Sequence, residues 1–494
     1  MSTSRHAIWR SSQMDPASAT TGRVAGSRPR VAGDISHWFA QLYGEAPVPQ
    51  RAALAGVVEA DVCIVGAGYT GLWTAYELLR AAPQMRVVVL EAEVAGYGAS
   101  GRNGGAVIAL IQGTREQWAA RDSRNGAIEL ERAIIRTVDE VGEAVAREGI
   151  DCSFSKNGVI EVARTELELR HFSAIVERDR EWGFGSDDYR MLSAAETDAR
   201  VRVDGARGAR FSPHCASIHP GALVRGLADA VERRGATIHE ASPVIEIAPR
   251  RARTASGEVR ARHVIRATEA YTESVRSARR MIVPVRTSML VTEPIDAATW
   301  EQVGWQGREA LLAEHPFLHL QHTADRRITI GGDDNRVPYR YASRPSELGP
   351  AHPRTAAFYR DELVRLFPDL RDVGIERSWK GVFGTTRAWM PGVHLDRVTG
   401  LGWAGGYVGE GVAPSNLAGR TMRDLILDRD TELRRLPWVV ERLPRRWEPE
   451  PLRFIGASLI WCMRTYGERQ EKRHERPSRL LRLGNRIAGY EGHG

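Results

Sequence analysis

Three glycines near the start of the chain have the spacing of a dinucleotide site: Gly66, Gly68 and Gly71, in the segment GAGYTG. Residues 62–65 before them predict a strand, and residues 72–80 after them predict a helix. In such a turn the first glycine permits the bend, the second lets a pyrophosphate approach, and the third lets helix and strand pack closely. The phosphates would lie at the helix N-terminus, where free N–H groups favour anions.

An acidic residue extends this nucleotide prediction. Glu91 directly follows the next predicted strand, 86–90, and lies 25 residues after Gly66. A carboxylate at this place accepts hydrogen bonds from both ribose hydroxyls, and it disfavours a ribose that carries a 2′-phosphate. The motif by itself leaves FAD and NAD as alternatives.

Two further glycine-rich segments have the composition of ligand-binding loops. Residues 98–105, GASGRNGG, combine backbone freedom with the donors Arg102 and Asn103, which suits close approach to a flat ring or to phosphate oxygens. Residues 405–411 precede a predicted helix at 412–427. A helix N-terminus aimed at a ring that gains negative charge on reduction would stabilise that charge.

The order and spacing of these segments resemble the D-amino-acid oxidase-like FAD-dependent oxidoreductases, and within them the branch that includes gamma-glutamylputrescine oxidase. The resemblance covers most of residues 60–430. It is carried by residues 66–91, 98–105, 218–272 and 400–426.

The resemblance implies an enzyme in which FAD takes a hydride at N5 from the carbon beside the nitrogen of an amine or amino acid. It also implies that residues 100–105 pass the flavin, that Val244 contacts the adenine side, and that Ala267 and Thr268 lie near the pyrophosphate. The expected cofactor-binding residues are Gly66, Ala67, Gly68, Tyr69, Thr70, Gly71, Glu91, Ser100, Gly101, Arg102, Asn103, Gly104, Gly105, Val244, Ala267, Thr268, Gly405, Gly406, Tyr407, Gly409 and Gly411.

The expected fold is α/β, with a discontinuous, Rossmann-like FAD-binding domain and a second, α+β substrate domain built on an antiparallel sheet. Alternating strand patterns between residues 283 and 335 support the second domain. The expected boundaries are a disordered lead-in at 1–33, an FAD-binding domain at 55–150, 213–280 and 379–430, a substrate domain at 151–212 and 281–378, and a basic helical C-terminal extension at 431–494.

Aromatic and basic residues near the second domain are candidates for the substrate side. Aromatic walls attract a cationic amine, whereas a fixed arginine would bind a substrate carboxylate. Each candidate also has a purely structural interpretation, and none is identified as catalytic. The candidates are His319, Arg336, Tyr339, Trp379, Arg387, Trp389 and Tyr407.

Charge and cysteine content limit the partners. The net charge of +7 over 494 residues comes from the two ends, since residues 1–33 carry +4 and residues 431–494 carry +6, which leaves −3 for the body. A mildly acidic body argues against nucleic acid. Four widely spaced cysteines predict no metal knuckle and no disulfide framework, and we expect a cytoplasmic protein without a metal. The C-terminal extension favours packing on the body or on a partner subunit over peripheral membrane contact, and the oligomeric state stays open.

Several functional alternatives stay open at this level. A flavin dehydrogenase of a hydroxy acid or polyol phosphate would share the fold and pass electrons to a quinone or carrier. A catalytically silent flavoprotein would bind partners through its basic tail. For the favoured amine oxidation, O2 or an electron carrier would accept the electrons. We expect non-covalent FAD, because Arg102 and Asn103 occupy the first ring-side loop and no cysteine lies between residues 216 and 461.

Overall fold

The computed structural model describes residues 30–314, 316–332, 339, 348–474 and 476–489. The described chain begins inside the range expected to be a lead-in, with Ala32 and Ile35 already buried. Its strands are β1 Gly56–Val65, β2 Val87–Leu90, β3 Ala106–Ile108, β4 Val159–Ala163, β5 Arg190–Ser193, β6 Gly208–Ser212, β7 Cys215–Ser217, β8 Thr237–His239, β9 Glu246–Ala248, β10 Arg251–Arg253, β11 Gly257–Arg266, β12 Val283–Thr292, β13 Ala310–Ala313, β14 Leu318–His322, β15 Ile328–Gly332, β16 Ile375–Thr385, β17 Gly392–Leu395 and β18 Leu401–Gly405.

The α-helices range from 4 to 25 residues. They are α1 Ala32–Ile35, α2 His37–Tyr43, α3 Tyr69–Ala81, α4 Arg115–Arg121, α5 Arg124–Glu148, α6 Glu166–Glu181, α7 Ala194–Asp198, α8 Pro220–Arg233, α9 Ala297–Val303, α10 Pro353–Leu366, α11 Val412–Ile426, α12 Leu452–His474 and α13 Arg479–Ala488.

The first sheet has the order β17-β18-β11-β1-β2-β8. Strand β1 pairs in parallel with β11 and β2, and β18 and β8 extend the sheet in parallel on either side. Parallel strands require crossover helices that cover the faces, and the side chains of β1 and β2 accordingly share one core with α3, α8 and α11. This sheet is assembled from separate stretches of the chain, which confirms the expected α/β fold with a discontinuous Rossmann-like domain.

The second sheet has the order β16-β12-β15-β14-β13-β4-β6-β5. Strands β13 and β4 pair in parallel, and the other neighbours in this order pair antiparallel. Pairing between β12 and β16 continues from Ile375 to Thr385. The expected return to the first domain at residue 379 therefore falls inside a strand, because hydrogen bonding to β12 holds residues 379–385 in the second sheet.

The C-terminal extension contains two helices that pack against each other. Helices α12 and α13 pack together where Gly467 meets Leu481: a Cβ added to the glycine would lie 2.7 Å from the leucine Cβ. In the described part of the chain, no helix is both long and apolar enough to cross a membrane.

Candidate functional site

The first glycine turn has the geometry that its sequence predicts. Gly66 adopts a φ of +109°, and a Cβ on Gly71 would lie 1.9 Å from the Gly66 carbonyl oxygen. The start of the turn also touches the segment expected beside the pyrophosphate, because the Ala267 N–H donates to the Val65 carbonyl at 2.8 Å. Helix α3 has Gly68 as its N-cap, which offers no side-chain acceptor. The Tyr69 N–H donates to the Ser100 hydroxyl, so an anion would be bound by the N–H groups that follow it in the first turn of α3.

Glu91 lies beside this turn and is held by backbone donors. One carboxylate oxygen accepts from the Ala67 N–H at 2.8 Å, and the other accepts from the Glu93 N–H at 3.0 Å. Burial raises the pKa of Glu91 to about 7, and the two N–H groups oppose that rise. The Ser242 N–H donates to the Glu91 carbonyl, which brings the segment of Val244 to the same edge of the sheet.

The loop at residues 98–105 crosses the start of α3. The Ser100 hydroxyl accepts from the Tyr69 N–H at 2.8 Å, and the Asn103 amide donates to the carbonyls of Ala99 and Ser100. Asn103 therefore shapes its own loop instead of offering the donor that its sequence suggested.

Arg102 supplies a direct test of whether the site fits a cofactor. Its side chain is only 3% exposed and lies over the Tyr97 ring at 4.5 Å. Its Nε and Nη2 atoms are buried without a hydrogen-bond partner among the described residues. Buried guanidinium donors are normally paired, so these atoms fit an oxygen of a bound dinucleotide.

The third segment, residues 405–411, joins the other two. The Tyr407 and Thr70 hydroxyls hydrogen bond at 3.0 Å, which connects this loop to α3. Helix α11 has Gly411 as its N-cap and so lacks a side-chain acceptor, like α3. Both helices thus begin at a glycine, and the Thr70–Tyr407 hydrogen bond joins the start of α3 to the loop that precedes α11.

Glu269 is a residue of this loop region that the sequence analysis missed. Its carboxylate accepts from the Gly406 N–H at 2.7 Å and from the Tyr407 N–H at 3.3 Å. Burial raises its pKa to about 7 against these donors. Its φ of +38° is unusual for a side-chain-bearing residue, and nothing in the local sequence indicated it. Gly406 and Tyr407 therefore bind Glu269 with their N–H groups, and the start of α11 is left for a ligand.

A cavity of about 1060 Å³ extends from these loops to the second sheet. Its near wall includes Arg102, Gly104 and the stretch Gly409–Glu410, and its far wall comes from β12, β14 and β16. Residues of α12 and α13 close one side. Large apolar side chains of the cavity wall include Ile108, Met289, Phe317, Val382, Phe383 and Trp461.

His319 is brought to this cavity. Its ring is close to the glycine loop, since a Cβ on Gly104 would lie 2.8 Å from its Nδ1 atom. Burial lowers the pKa of His319 to about 4, so the ring is neutral at physiological pH. A neutral ring at this junction suits orientation and packing better than attraction of an anion.

Trp379 is not brought to the cavity. Its side chain is buried in the core, where its indole N–H donates to the Arg102 carbonyl at 2.8 Å and its ring packs edge-on against Trp38. The expectation that Trp379 lines the substrate site is corrected accordingly, because the inner face of β16 turns this side chain toward α2. Trp379 supports the loop of Arg102 from behind.

Arg387 and Trp389 line the cavity at its C-terminal side. Arg387 forms an ion pair with Glu448 at 3.1 Å, and the Trp389 indole N–H donates to the Ala488 carbonyl at 3.0 Å. Both residues therefore anchor the C-terminal extension over the cavity. An arginine that is paired in this way is a poor receptor for a substrate carboxylate.

The remaining substrate candidates lie in different places. Tyr407 is buried and does not line the cavity, and its hydroxyl contacts that of Thr70. Tyr339 lines the cavity, and its hydroxyl contacts the Glu450 carboxylate at the base of α12. Arg336 lies outside the described residues.

Glu410 is a second residue that the sequence analysis missed. It lies between Gly409 and Gly411 and lines the cavity, and burial alone raises its pKa to about 7. The signal was visible in the sequence, since a charged residue interrupts a glycine-rich loop directly before a helix. The flanking glycines indicate a role for the backbone and give no indication of a role for this side chain.

The fold and these loops define a flavoprotein oxidoreductase, and comparison with known proteins specifies the family. The model of the family described as "DAO: FAD dependent oxidoreductase" matches residues 61–425, and the chain belongs to this family of FAD-dependent enzymes.

Two curated relatives and one solved structure illustrate the likeness. The gamma-glutamylputrescine oxidoreductase of Escherichia coli is 30% identical over 378 residues, which cover 75% of this chain and 84% of that protein. The probable oxidoreductase OrdL of Haemophilus influenzae is 28% identical over 392 residues, covering 77% and 86%. The crystal structure of glycine oxidase from Geobacillus kaustophilus superposes with a TM-score of 0.65 at 21% identity, covering 78% of this chain and 99% of that one, which supports the fold.

Proposed function

We propose that this enzyme oxidises a small-molecule amine or amino acid to an imine, which water then hydrolyses. The observation that carries the proposal is the largely apolar cavity that begins at the glycine-rich loops and ends at the second sheet. The relatives support the same class, because gamma-glutamylputrescine oxidoreductase and glycine oxidase are both named for substrates that contain an amine.

The cofactor would be held by the three segments described above. Glu91 would accept from the ribose hydroxyls, the N-terminus of α3 would bind the pyrophosphate, and the N-terminus of α11 would face the flavin ring. Val244 would contact the adenine, with Ala267 and Thr268 beside the phosphates. When bound, FAD supplies the acceptor for a hydride and its two electrons.

The residues of the cavity would bind, orient and shield the substrate. Apolar wall residues such as Met289 and Phe383 would exclude water. His319 would support the loop of Gly104 beside the flavin ring. Since Arg387 is already paired with Glu448, the proposal favours a substrate whose carboxylate is absent or remote from the reacting nitrogen. The electrons would pass to O2 or to an electron carrier.

Three further properties belong to this proposal. FAD would be bound non-covalently, because the ring-side loop offers Arg102 and Asn103 and no histidine or cysteine. The protein would be cytoplasmic, which fits three buried cysteines and one exposed cysteine, all free thiols. The FAD-binding domain would comprise about the ranges expected from sequence, with residues 379–385 assigned to the second sheet.

Product analysis tests the proposal. The purified holoenzyme is incubated with a panel of primary amines, secondary amines and amino acids, and in parallel with hydroxy acids of the same carbon skeletons. We expect an aldehyde or keto product together with released ammonia or amine from at least one nitrogen compound. Turnover of the hydroxy acids alone would replace the proposal with a C–OH dehydrogenase.

A further inference from the structure

Glu410 has an unusual position for an acidic residue. It lies between Gly409, with a φ of +98°, and Gly411, the N-cap of α11. Its half-buried side chain lines the cavity, at the end of the loop that we propose to face the flavin. Among the described residues no hydrogen bond, ion pair or other electrostatic partner compensates its carboxylate, whose pKa is raised to about 7 by burial alone.

Other acidic residues of the same cavity wall are compensated. Glu131 pairs with Arg115 and accepts from Tyr189, and Asp179 pairs with both Arg115 and Arg210. Glu448 at the C-terminal side pairs with Arg387. Burying a carboxylate without a partner costs free energy, so an unpaired carboxylate that faces a ligand cavity marks a place for a cation.

The chemistry of amine oxidation supplies such a cation. Most alkyl amines are protonated to ammonium ions at neutral pH. Hydride leaves the neighbouring carbon only when the nitrogen has a free lone pair to form the C=N bond. The substrate must therefore lose one proton inside the site. A carboxylate whose pKa lies near the working pH is suited to take it.

We propose that Glu410 binds the ammonium group of the substrate through its carboxylate and accepts one proton from it before hydride transfer. One N–H bond breaks, and one O–H bond forms on Glu410. With FAD bound, the freed nitrogen lone pair would form the C=N bond while the C–H electron pair leaves with its hydrogen as hydride, for which the cofactor would be the acceptor. This inference rests on the proposed function and deepens it, because it assigns the recognition of an amine to one side chain.

The test compares the wild-type holoenzyme with Glu410→Gln and Glu410→Asp. The first readout is the rate at which the fastest-reducing amine of the panel bleaches the flavin without oxygen, measured from pH 5.5 to about 9, a window that spans the raised pKa. We expect the wild-type rate to rise with an inflection near pH 7. We expect Glu410→Gln to be slower by about 100-fold, with its inflection shifted upward, and Glu410→Asp to recover part of the rate.

The second readout is independent of turnover. The probe is tert-butylammonium, which has no hydrogen on the carbon beside nitrogen and is not oxidisable, and its matched neutral analogue is tert-butanol. Binding is followed by the change in the visible flavin spectrum. We expect Glu410→Gln to weaken tert-butylammonium about tenfold, the loss of about 1.4 kcal/mol, and to leave tert-butanol unchanged. Exposed Glu59→Gln is the control for the substitution itself.

The outcomes separate the two proposals. If Glu410→Gln retains its flavin and matches the wild type in both pH profile and tert-butylammonium affinity, the role of Glu410 is overturned. If no amine reduces the wild-type enzyme, the proposed function fails, whereas the tert-butylammonium arm still decides whether Glu410 recognises a cation.

Discussion

The two walls of the cavity are built in different ways. The wall toward the proposed cofactor includes two glycine-rich segments, residues 98–105 and 405–411, and each is hydrogen bonded to the start of α3. The opposite wall gathers strands β12, β14 and β16, and it is closed by α12 and α13 from the end of the chain. The proposed cofactor would thus be bound by short local motifs, whereas the substrate side of the cavity is formed by packing between residues far apart in the sequence.

Two acidic residues with raised pKa values show the same contrast at atomic scale. Glu269 accepts backbone N–H groups from Gly406 and Tyr407, so its charge is used to hold the loop. Glu410, in that same loop, has no compensating partner among the described residues and faces the cavity. One carboxylate therefore serves the fold, and we propose that the other serves the substrate.

The largest effect is expected in the local motif. In Gly71→Ala the new Cβ would lie 1.9 Å from the Gly66 carbonyl oxygen, so the turn and α3 must move apart. We expect the flavin content of the purified protein to fall by about tenfold or more, since such overpacking costs about 1–3 kcal/mol. The control is Gly185→Ala, where an added Cβ has no neighbour within 4 Å. Equal flavin content in both variants would refute the role of this turn.

The second effect concerns Glu269. In Glu269→Ala two N–H groups of the glycine loop lose their acceptor, and a buried unpaired donor costs about 1–3 kcal/mol. We expect a lower melting temperature of the holoenzyme and faster loss of FAD on dilution. Glu269→Gln keeps an acceptor oxygen and should be affected less. An unchanged melting temperature in Glu269→Ala would show that these hydrogen bonds do not hold the loop.

The third effect is a pH dependence of stability at Glu410. Folding raises the pKa of this group from 4.5 to about 7. Its contribution to the stability of the fold is therefore fully present below pH 4.5 and is lost as the pH rises through 7. As the pH rises between these values, we expect the free energy of unfolding of Glu410→Gln to increase by about 1 kcal/mol relative to that of the wild type, after allowance for the partial exposure of Glu410 to solvent. Thermal unfolding of both proteins across this range measures it. A difference that stays constant with pH would contradict the unpaired state.

The smallest effect is expected at the C-terminal side of the cavity. Trp389→Phe removes the hydrogen bond to the Ala488 carbonyl, which is worth about 1 kcal/mol. We expect faster proteolysis within α12 and α13 and a KM for the amine raised about threefold, with kcat little changed. Trp305→Phe is the matched control, because that buried indole N–H has no partner in the described part of the chain. If both variants behave alike, Trp389 does not anchor the extension.

The backbone geometry of the glycine turn and the start of α11 could be predicted from the sequence for a physical reason. The turn at Gly66–Gly71 and the onset of α11 depend on neighbours a few residues away, so their geometry is written in local spacing. The α/β fold was likewise predicted, and the separate sheet is antiparallel as expected except for the parallel pair β13 and β4. The end of β16 was not, because its pairing with β12 depends on residues about 90 positions distant.

The substrate wall was predicted less well. Trp379 was expected in the pocket, but the direction of its side chain depends on the packing of β16 against α2. The contact between Trp389 and Ala488 joins residues 99 positions apart, and no local pattern announces it. Glu410 was overlooked although it stands among glycines that were identified, since only the cavity shows that its carboxylate is uncompensated.

The central claim is that three segments hold one FAD whose ring meets an amine in this cavity. The most direct measurement is the visible flavin absorption of the purified protein, followed without oxygen as the amine panel is added. We predict a visible flavin absorption band that at least one amine bleaches stoichiometrically. We also predict that acid precipitation of the protein releases the flavin intact. A colourless protein that does not bind added FAD, or a flavin that no amine of the panel reduces, would contradict the account.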